Sequence, residues 1–462
     1  MRHRFAKDQN TDKALRHSVR DGVAYSVMAG AGETYFSAFA LFFKANTAQI
    51  GLLASLPSLI SSLAQLFSAW ISRKGLSRRQ IILTGAVLQA TILLPLMLLP
   101  ILFQNMAVPL IILFVIIFHA AGSMVVPQWS SLMGDLVPER RRGRYFALRN
   151  RFTSISTFIA LVVGGVILHV FENEELTIYG FVTIFTIAAI ARCISVYHLT
   201  FLFEPKKESH TLDIQFNQHW WRRLTHSKFV QFSLFFACMQ TVVAIASPFF
   251  AVYMLRDLQF TYIEFMLTSA ATILMQFLAL NTWGRISDIF GNRLILFVTG
   301  FVIPLIPTLW LFSHNLFYLC TIQMLSGLVW AGFNLSANNF LYDLISAPRR
   351  ATFMAFHNVA TNIGVFCGAL LGGYLGTVLP KTISLGDTTY SWEYALLGVF
   401  AISSIARLIV ALIFLPRLRE VRVVRPMTVT ELIFRATRFN ALSGLIYDII
   451  GGSRKQSDTK KP

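Results

Sequence analysis

Glu33 places a carboxyl group inside an apolar run, MAGAGETYFSAF. With Gly22, Ser26, Gly30 and Ser37 it forms a stripe at i, i+3/i+4 spacing, which is one face of a helix. If that run crosses a membrane, an ionisable group there costs about 2.5–3.5 kcal/mol on insertion scales and marks a pathway for ions or solutes. Such a carboxyl can exchange a proton, or it can be a structural acid bonded to a neighbouring helix. It is the only acid placed deep within a run: Asp135 and Asp343 stand at the ends of theirs, Glu264 and Glu393 at the starts. Two arginines, Arg192 and Arg407, sit inside other runs, each in an Ala-Arg pair, and are expected to snorkel towards headgroups. His119 shares a face with Ser123 and Ser130, while Trp330, Asn334 and Asn338 follow i, i+4, i+8 spacing beside Asn339. These groups could hydrogen-bond and stack a small ligand. Equally, they could bond helix to helix, at about 0.6 kcal/mol each.

The runs that must position these residues dominate the chain. Of 462 residues, 55% are hydrophobic and 13% charged, and the mean hydropathy is +0.60. Soluble domains carry about 25% charged residues, so a polytopic membrane protein is implied. Apolar windows of roughly 20 residues fall near 21–44, 48–71, 80–103, 107–134, 152–170, 178–203, 227–254, 261–285, 293–312, 316–343, 353–379 and 392–415. The fold class is therefore all-α with twelve transmembrane helices. The weakest division is between the ninth and tenth, where only Ser313-His314-Asn315 intervenes. The four cysteines (Cys193, Cys238, Cys320, Cys367) lie in apolar runs without metal-ligand spacing, so no metal site, disulfide scaffold or cofactor is expected. The basic N-terminus has no apolar core of its own, which argues against a cleaved signal peptide.

The net charge of +18 raises the question of nucleic acid, and the distribution of Lys and Arg answers it. The N-terminus, every second loop and the C-terminal tail hold 35 of the 40, and the intervening loops hold 3. That is the positive-inside pattern with both termini cytoplasmic, so the charge sets topology and no nucleic acid is expected.

The chain also repeats itself. DLVPERRRGRYFALRN (135–150) and DLISAPRRATFMAFHN (343–358) align without a gap, and the same offset carries Gly164-Gly165 onto Gly372-Gly373. Two six-span halves of the same orientation follow, the parallel-repeat plan of many secondary transporters. Between spans 8 and 9 stands Gly284-x-x-x-Asp288-x-x-Gly291-Asn292-Arg293, and SAWISRKGLSRR (68–79) between spans 2 and 3 is a worn copy with Ser72 in place of the acid. This phrase resembles the loop motif of the major facilitator superfamily. The resemblance covers the whole chain in topology, and its motifs cover about a tenth of it.

The resemblance implies two pseudo-symmetric six-helix bundles around a central site, with spans 1, 4 and 10 facing it. There, an acid on span 1 carries the coupling proton or meets a cationic substrate. It implies that Asp288 closes a cytoplasmic gate, Gly284 and Gly291 allowing close approach there. By pseudo-symmetry Asp288 then faces the start of span 5, flanked by Arg149 and Arg151, while Ser72 faces His357 at span 11. One ionic latch and one neutral latch are expected. The glycines at 364, 368, 372 and 376 are read as a close-packing face. Residues 428–450 open on a Thr428/Glu431 capping box and put Leu432, Phe439, Leu442, Ile446 and Ile449 on one face, an amphipathic helix on the inner leaflet.

The expected organisation is a cytoplasmic N-terminal segment (1–20), a six-helix bundle (21–203), a linker (204–226), a second bundle (227–415) and a cytoplasmic tail (416–462). The function expected is a secondary active transporter of a small solute, coupled to the proton, monomeric among membrane lipids, in a bacterial inner membrane. An uncoupled facilitator or channel-like permease is the alternative. A membrane-embedded transferase is disfavoured, because no HExxH, DDxxD or GxSG occurs. The drug-antiporter, sugar-porter and peptide-transporter phrases are also missing, so the solute is not named by the sequence.

Overall fold

The computed structural model describes residues 8–103, 106–138, 142–173, 176–204, 228–345, 350–379, 382–385, 388–391 and 394–420. The linker beyond Glu204 and the amphipathic segment 428–450 lie outside the described residues.

Each expected span is helical. Span 1 is α1 (Gln9–Ala31) and α2 (Phe36–Phe42); spans 2 to 6 are α3 (Thr47–Arg73), α4 (Arg78–Leu102), α5 (Ala107–Leu136), α6 (Arg142–Asn173) and α7 (Thr177–Leu199). Span 7 is α8 (Lys228–Ala244) and α9 (Phe249–Val252), followed by a π turn at Tyr253–Asp257; span 8 is α10 (Tyr262–Phe290). Span 9 is α11 (Arg293–Val302) and α12 (Leu305–Leu309), and spans 10 to 12 are α13 (Leu316–Leu344), α14 (Arg350–Val378) and α15 (Ala395–Phe414). A hairpin, β1 (Thr382–Leu385) with β2 (Thr388–Ser391), joins α14 to α15. Among the described residues ten helical stretches are long and apolar enough to cross a membrane; the broken first and ninth spans complete the set.

Polar residues at the loop edges start these helices. Asn46 with Gln49, Ser77 with Gln80 and Thr261 with Glu264 form capping boxes, each satisfying two free backbone N–H groups. Asn315 caps Phe317 and Tyr318, which fixes the division between spans 9 and 10. Asp8 caps α1, so the first helix begins at Gln9 and takes in most of the expected N-terminal segment.

Spans 1 and 7, the same position in each half, are both interrupted. In span 7 the break covers residues 245–248 and ends on Pro248, which has no N–H to continue the ladder. In span 1 no proline is present; α1 stops at Ala31 and a 3-10 turn carries Glu33–Tyr35. The Thr34 hydroxyl donates to the Ala29 carbonyl (3.1 Å), standing in for the lost helical bond.

Arg407 serves the other breaks. Pro307 cannot donate to the Ile303 carbonyl, and Arg407 Nη1 does so instead at 3.4 Å, while its Nη2 reaches the Val243 carbonyl at the span 7 break (3.2 Å). Ser403 donates to the Val242 carbonyl (2.6 Å), and Ser404 to that of Pro304. Arg407 is only 2% exposed. The expected snorkelling is thus corrected: the guanidinium is a further donor to carbonyls at the helix breaks, beside the backbone N–H groups of Ile306 and Ser247, and headgroups are not its partners.

The loop motif has a backbone role of its own. Gly291 ends α10 at φ 84°, ψ 175°, with its N–H bonded to the Ser287 carbonyl (3.0 Å), and Gly75 in the other copy also has positive φ (105°). A Cβ on Gly284 would meet nothing within 4 Å among the described residues in this arrangement. Gly291→Ala should therefore cost roughly 1–3 kcal/mol, because its backbone conformation is essentially restricted to glycine. Gly284→Ala should be neutral or better. Equal melting of the two variants in thermal denaturation would contradict this reading.

Candidate functional site

The halves meet through α3 against α14 and α6 against α10. Gly51 lies against the Ala369 carbonyl and the Gly373 Cα, and Gly165 against the Met266 side chain. Arg256 Nη1 donates to Thr47 Oγ1 (2.9 Å), the Tyr262 N–H to Glu172 Oε2 (3.3 Å), and the rings of Phe181 and Tyr262 meet edge-on at 5.6 Å. All of these lie at the end remote from the loops 74–77 and 291–292. The glycine face of α14 packs as expected: Gly364 and Gly368 lie on α8 at Ala237 and Thr241, and Gly372 on the Ile245 carbonyl at the break.

Above that seal lies a cavity of about 460 Å³, lined by Glu33, Phe36, Ser37, Leu53, Ala54, Pro57, Ser58, Ser61, Gln65, Val115, His119 and Asn362. Glu33 and His119, separate candidates in the sequence, face each other across it, Oε1 to Nδ1 at 3.9 Å. Both side chains keep about a third of their surface open (35% and 30%), so the cavity reaches each of them. Glu33 is presented here because the helix breaks just before it, which turns its side chain away from the α1 stripe. The lining can accept or donate through three serines, an amide on each side and one carboxylate. A lone Glu–His pair is too few ligands for a metal ion, and no group of three or more His, Cys, Asp or Glu occurs among the described residues.

Trp330, Asn334 and Asn338 do not line this cavity. The Trp330 ring packs edge-on against Phe333 (5.6 Å), Asn338 is exposed, and it is Asn339 that bonds, to Ser287 Oγ at 3.2 Å.

Arg192 is 2% exposed and anchors a network that depth alone did not reveal. Its Nη2 donates to Gln89 Oε1 (2.6 Å) and its Nη1 to Ser195 Oγ (2.7 Å), and Ser195 donates to Asp21 Oδ1 (2.7 Å). Asp21, 5% exposed, also faces Arg149 at 3.9 Å. Snorkelling is overturned here too, since the charge is met by a buried acid. Gln89 continues the chain to the Phe118 carbonyl (3.1 Å), next to His119. The network thus joins α1, α4, α5, α6 and α7 between gate and cavity.

Arg149 accordingly points into its own half, over the Trp129 ring at 4.3 Å and towards Asp21. Helix α6 begins at Arg142, so Arg149 and half-buried Arg151 lie within it, and its free N–H groups are two turns away from where the sequence put them. In the other half His357 Nδ1 meets Ser233 Oγ at 3.1 Å, the matching α14–α8 contact. One ionic and one neutral contact do occupy equivalent positions, but both are within halves. The Asp288 side chain lies outside the described residues.

The gate-loop end of each bundle is tied by a pair of acids to which the sequence reading gave no role. Arg78 bonds Asp135 and Glu204, both at 2.8 Å. In the second half the Arg293 N–H meets Glu420 Oε2 (2.8 Å), its Nε the Leu418 carbonyl (2.6 Å), and Asn292 bonds Asp343 (3.3 Å). Partial burial pushes the Glu204 carboxyl up, but bonds from the Arg78 side chain and Arg79 N–H outweigh it and hold Glu204 below the usual carboxylate range. The repeat of Asp135 in Asp343 was the available signal; the acids at the ends of spans 6 and 12 had none.

Two bundles of six spans, broken at matching positions around a closed-ended polar cavity, define a multi-pass membrane transporter fold. The sequence matches the model of the Major Facilitator Superfamily twice, over residues 22–235 and 230–447. The chain belongs to that family. It is a non-enzymatic integral membrane transporter. No curated protein matches it. Among solved structures it is similar to the D-xylose-proton symporter (13% identity, TM-score 0.67, covering 89% of this chain and 98% of that one). It is similar as well to the nucleoside transporter NupG (13%, 0.63, 89% and 100%). A third likeness is to a bacterial homologue of the iron transporter ferroportin in an inward-facing state (13%, 0.63, 89% and 99%). At such identities these likenesses speak for the fold alone.

Proposed function

We propose that the chain is a proton-coupled secondary active transporter that moves a small polar solute by alternating access. The observation that carries this is the cavity between the halves, sealed at one end, with Glu33 and His119 facing each other across it. The gate loops carry the excess of Lys and Arg, so the open end is cytoplasmic and this arrangement is inward-facing. Both termini are then cytoplasmic, in a bacterial inner membrane, and the protein works as a monomer. On closure Arg149 leaves Asp21 and, with Arg151, meets Asp288 across the halves. Glu33 takes the proton, and the serines and amides of the cavity hold the solute.

The test is uptake by proteoliposomes given a mixture of small polar metabolites, with the contents read by mass spectrometry. Under an imposed pH gradient at least one solute should accumulate above its outside concentration, and a protonophore should abolish the excess. Equilibration without accumulation would instead favour an uncoupled facilitator.

A further inference from the structure

Of the twelve residues lining the cavity, eleven belong to the first half, on the turn at Glu33, α2, α3 and α5. The second half contributes Asn362, from α14. A solute can bias a conformational equilibrium only through contacts that differ between the states. A solute held solely by one half would ride with that half and leave the relation of the two halves unchanged. Asn362 is therefore where occupancy of this cavity can act on the arrangement of the halves.

Its present bonding suits that role. Asn362 Nδ2 donates to Ser62 Oγ at 2.6 Å, and Ser62 donates in turn to the Ser58 carbonyl at 3.2 Å. Ser62 is 3% exposed and Asn362 half-buried, so this is a partly buried bond between the halves at mid-membrane. It lies further towards the gate than the Gly51–Ala369 contact on the same two helices. Ser58 and Ser61, on the same stretch of α3, line the cavity beside it.

We propose that Asn362 is the positioning residue of the transport cycle: its amide ties the halves through Ser62 in the gate-open arrangement and turns to the solute when the cavity fills. This rests on the transporter reading above. The tie can be measured without a ligand. Spin labels at Lys74→Cys and Arg285→Cys, exposed on opposite halves at the gate-loop end, report their separation in the full-length protein with the native cysteines replaced. Asn362→Ala should lower the ratio of long to short distances by roughly two- to tenfold, the range for one net hydrogen bond. Ser62→Ala, which removes a single oxygen, should do the same, and the double variant should match either single one. Unchanged distances in Ser62→Ala, or effects of the two changes that multiply, would overturn the proposal.

A second measurement reads the solute. For a compound found by the uptake screen, Asn362→Ala should keep its thermal stabilisation within a few fold in apparent affinity, yet lose at least tenfold in exchange rate. Parallel loss of binding and rate would make Asn362 an ordinary binding residue and overturn the proposal. If the unaltered protein moves no solute, the transporter reading fails, while the spin-label distances still decide whether the tie exists.

Discussion

Glu33→Gln is expected to abolish pH-driven accumulation of the solute while leaving exchange across the membrane intact. One pH unit, at one proton per solute, supports about a tenfold concentration ratio. In the variant that ratio should fall to about one, because an amide cannot carry the proton yet keeps the shape and one acceptor of the carboxyl. Exchange of labelled for unlabelled solute needs no net proton movement and should continue at a comparable rate. Solute binding in weakly buffered detergent solution should also cease to release or take up protons. The expectation rests on the position of Glu33 at the helix break, open to the cavity and 3.9 Å from His119. Should the variant still concentrate solute normally, Glu33 is structural and coupling belongs to His119 or to another ion. His119→Gln then separates those two outcomes, since loss of accumulation there alone would assign the proton to the imidazole.

The sequence announced the spans well because hydropathy and loop charge are local properties. Even the doubtful division at 313–315 was real, secured by Asn315 as a cap. The breaks were half legible: Pro248, Pro304 and Pro307 signal those in spans 7 and 9, whereas span 1 breaks without any proline. Glu33 and His119 could each be singled out by cost at depth, but their pairing across the cavity is a tertiary fact that no spacing encodes. The arginines went astray for a related reason. Depth in a span says that Arg192 and Arg407 are expensive, and says nothing about which partners compensate them. Asp21 was passed over because it stands at the edge of the apolar run, although α1 continues back to Gln9 and buries it. Asn362 had no signal at all: one asparagine on a glycine-rich helix becomes distinctive only when Ser62 of the other half is placed beside it.

Asp21→Ala should be among the most destabilising single changes in the first bundle. The carboxylate is 5% exposed, accepts from Ser195 at 2.7 Å, and offers compensation to Arg149 at 3.9 Å and to Arg192 through Ser195. Its removal leaves Arg192, 2% exposed, as a buried cation with only neutral partners in Gln89 and Ser195. Breaking a buried pair by taking one member away costs about 3–5 kcal/mol, chiefly from the charge left behind. Replacing both members by apolar groups is far milder. Asp21→Ala/Arg192→Leu should therefore be more stable than Asp21→Ala alone, a non-additivity that a pair of independent sites would not produce. Detergent-solubilised membrane proteins unfold irreversibly as a rule, so the comparison is best made as inactivation half-lives at one temperature. Asp21→Asn, which keeps an oxygen for Ser195, should fall between the single alanine variant and the unaltered protein. If Asp21→Ala survives as long as the unaltered protein, or if the double variant is no better than the single one, the carboxylate does not compensate Arg192. The link from gate to cavity through Gln89 would then be a set of separate hydrogen bonds without a charge at its centre.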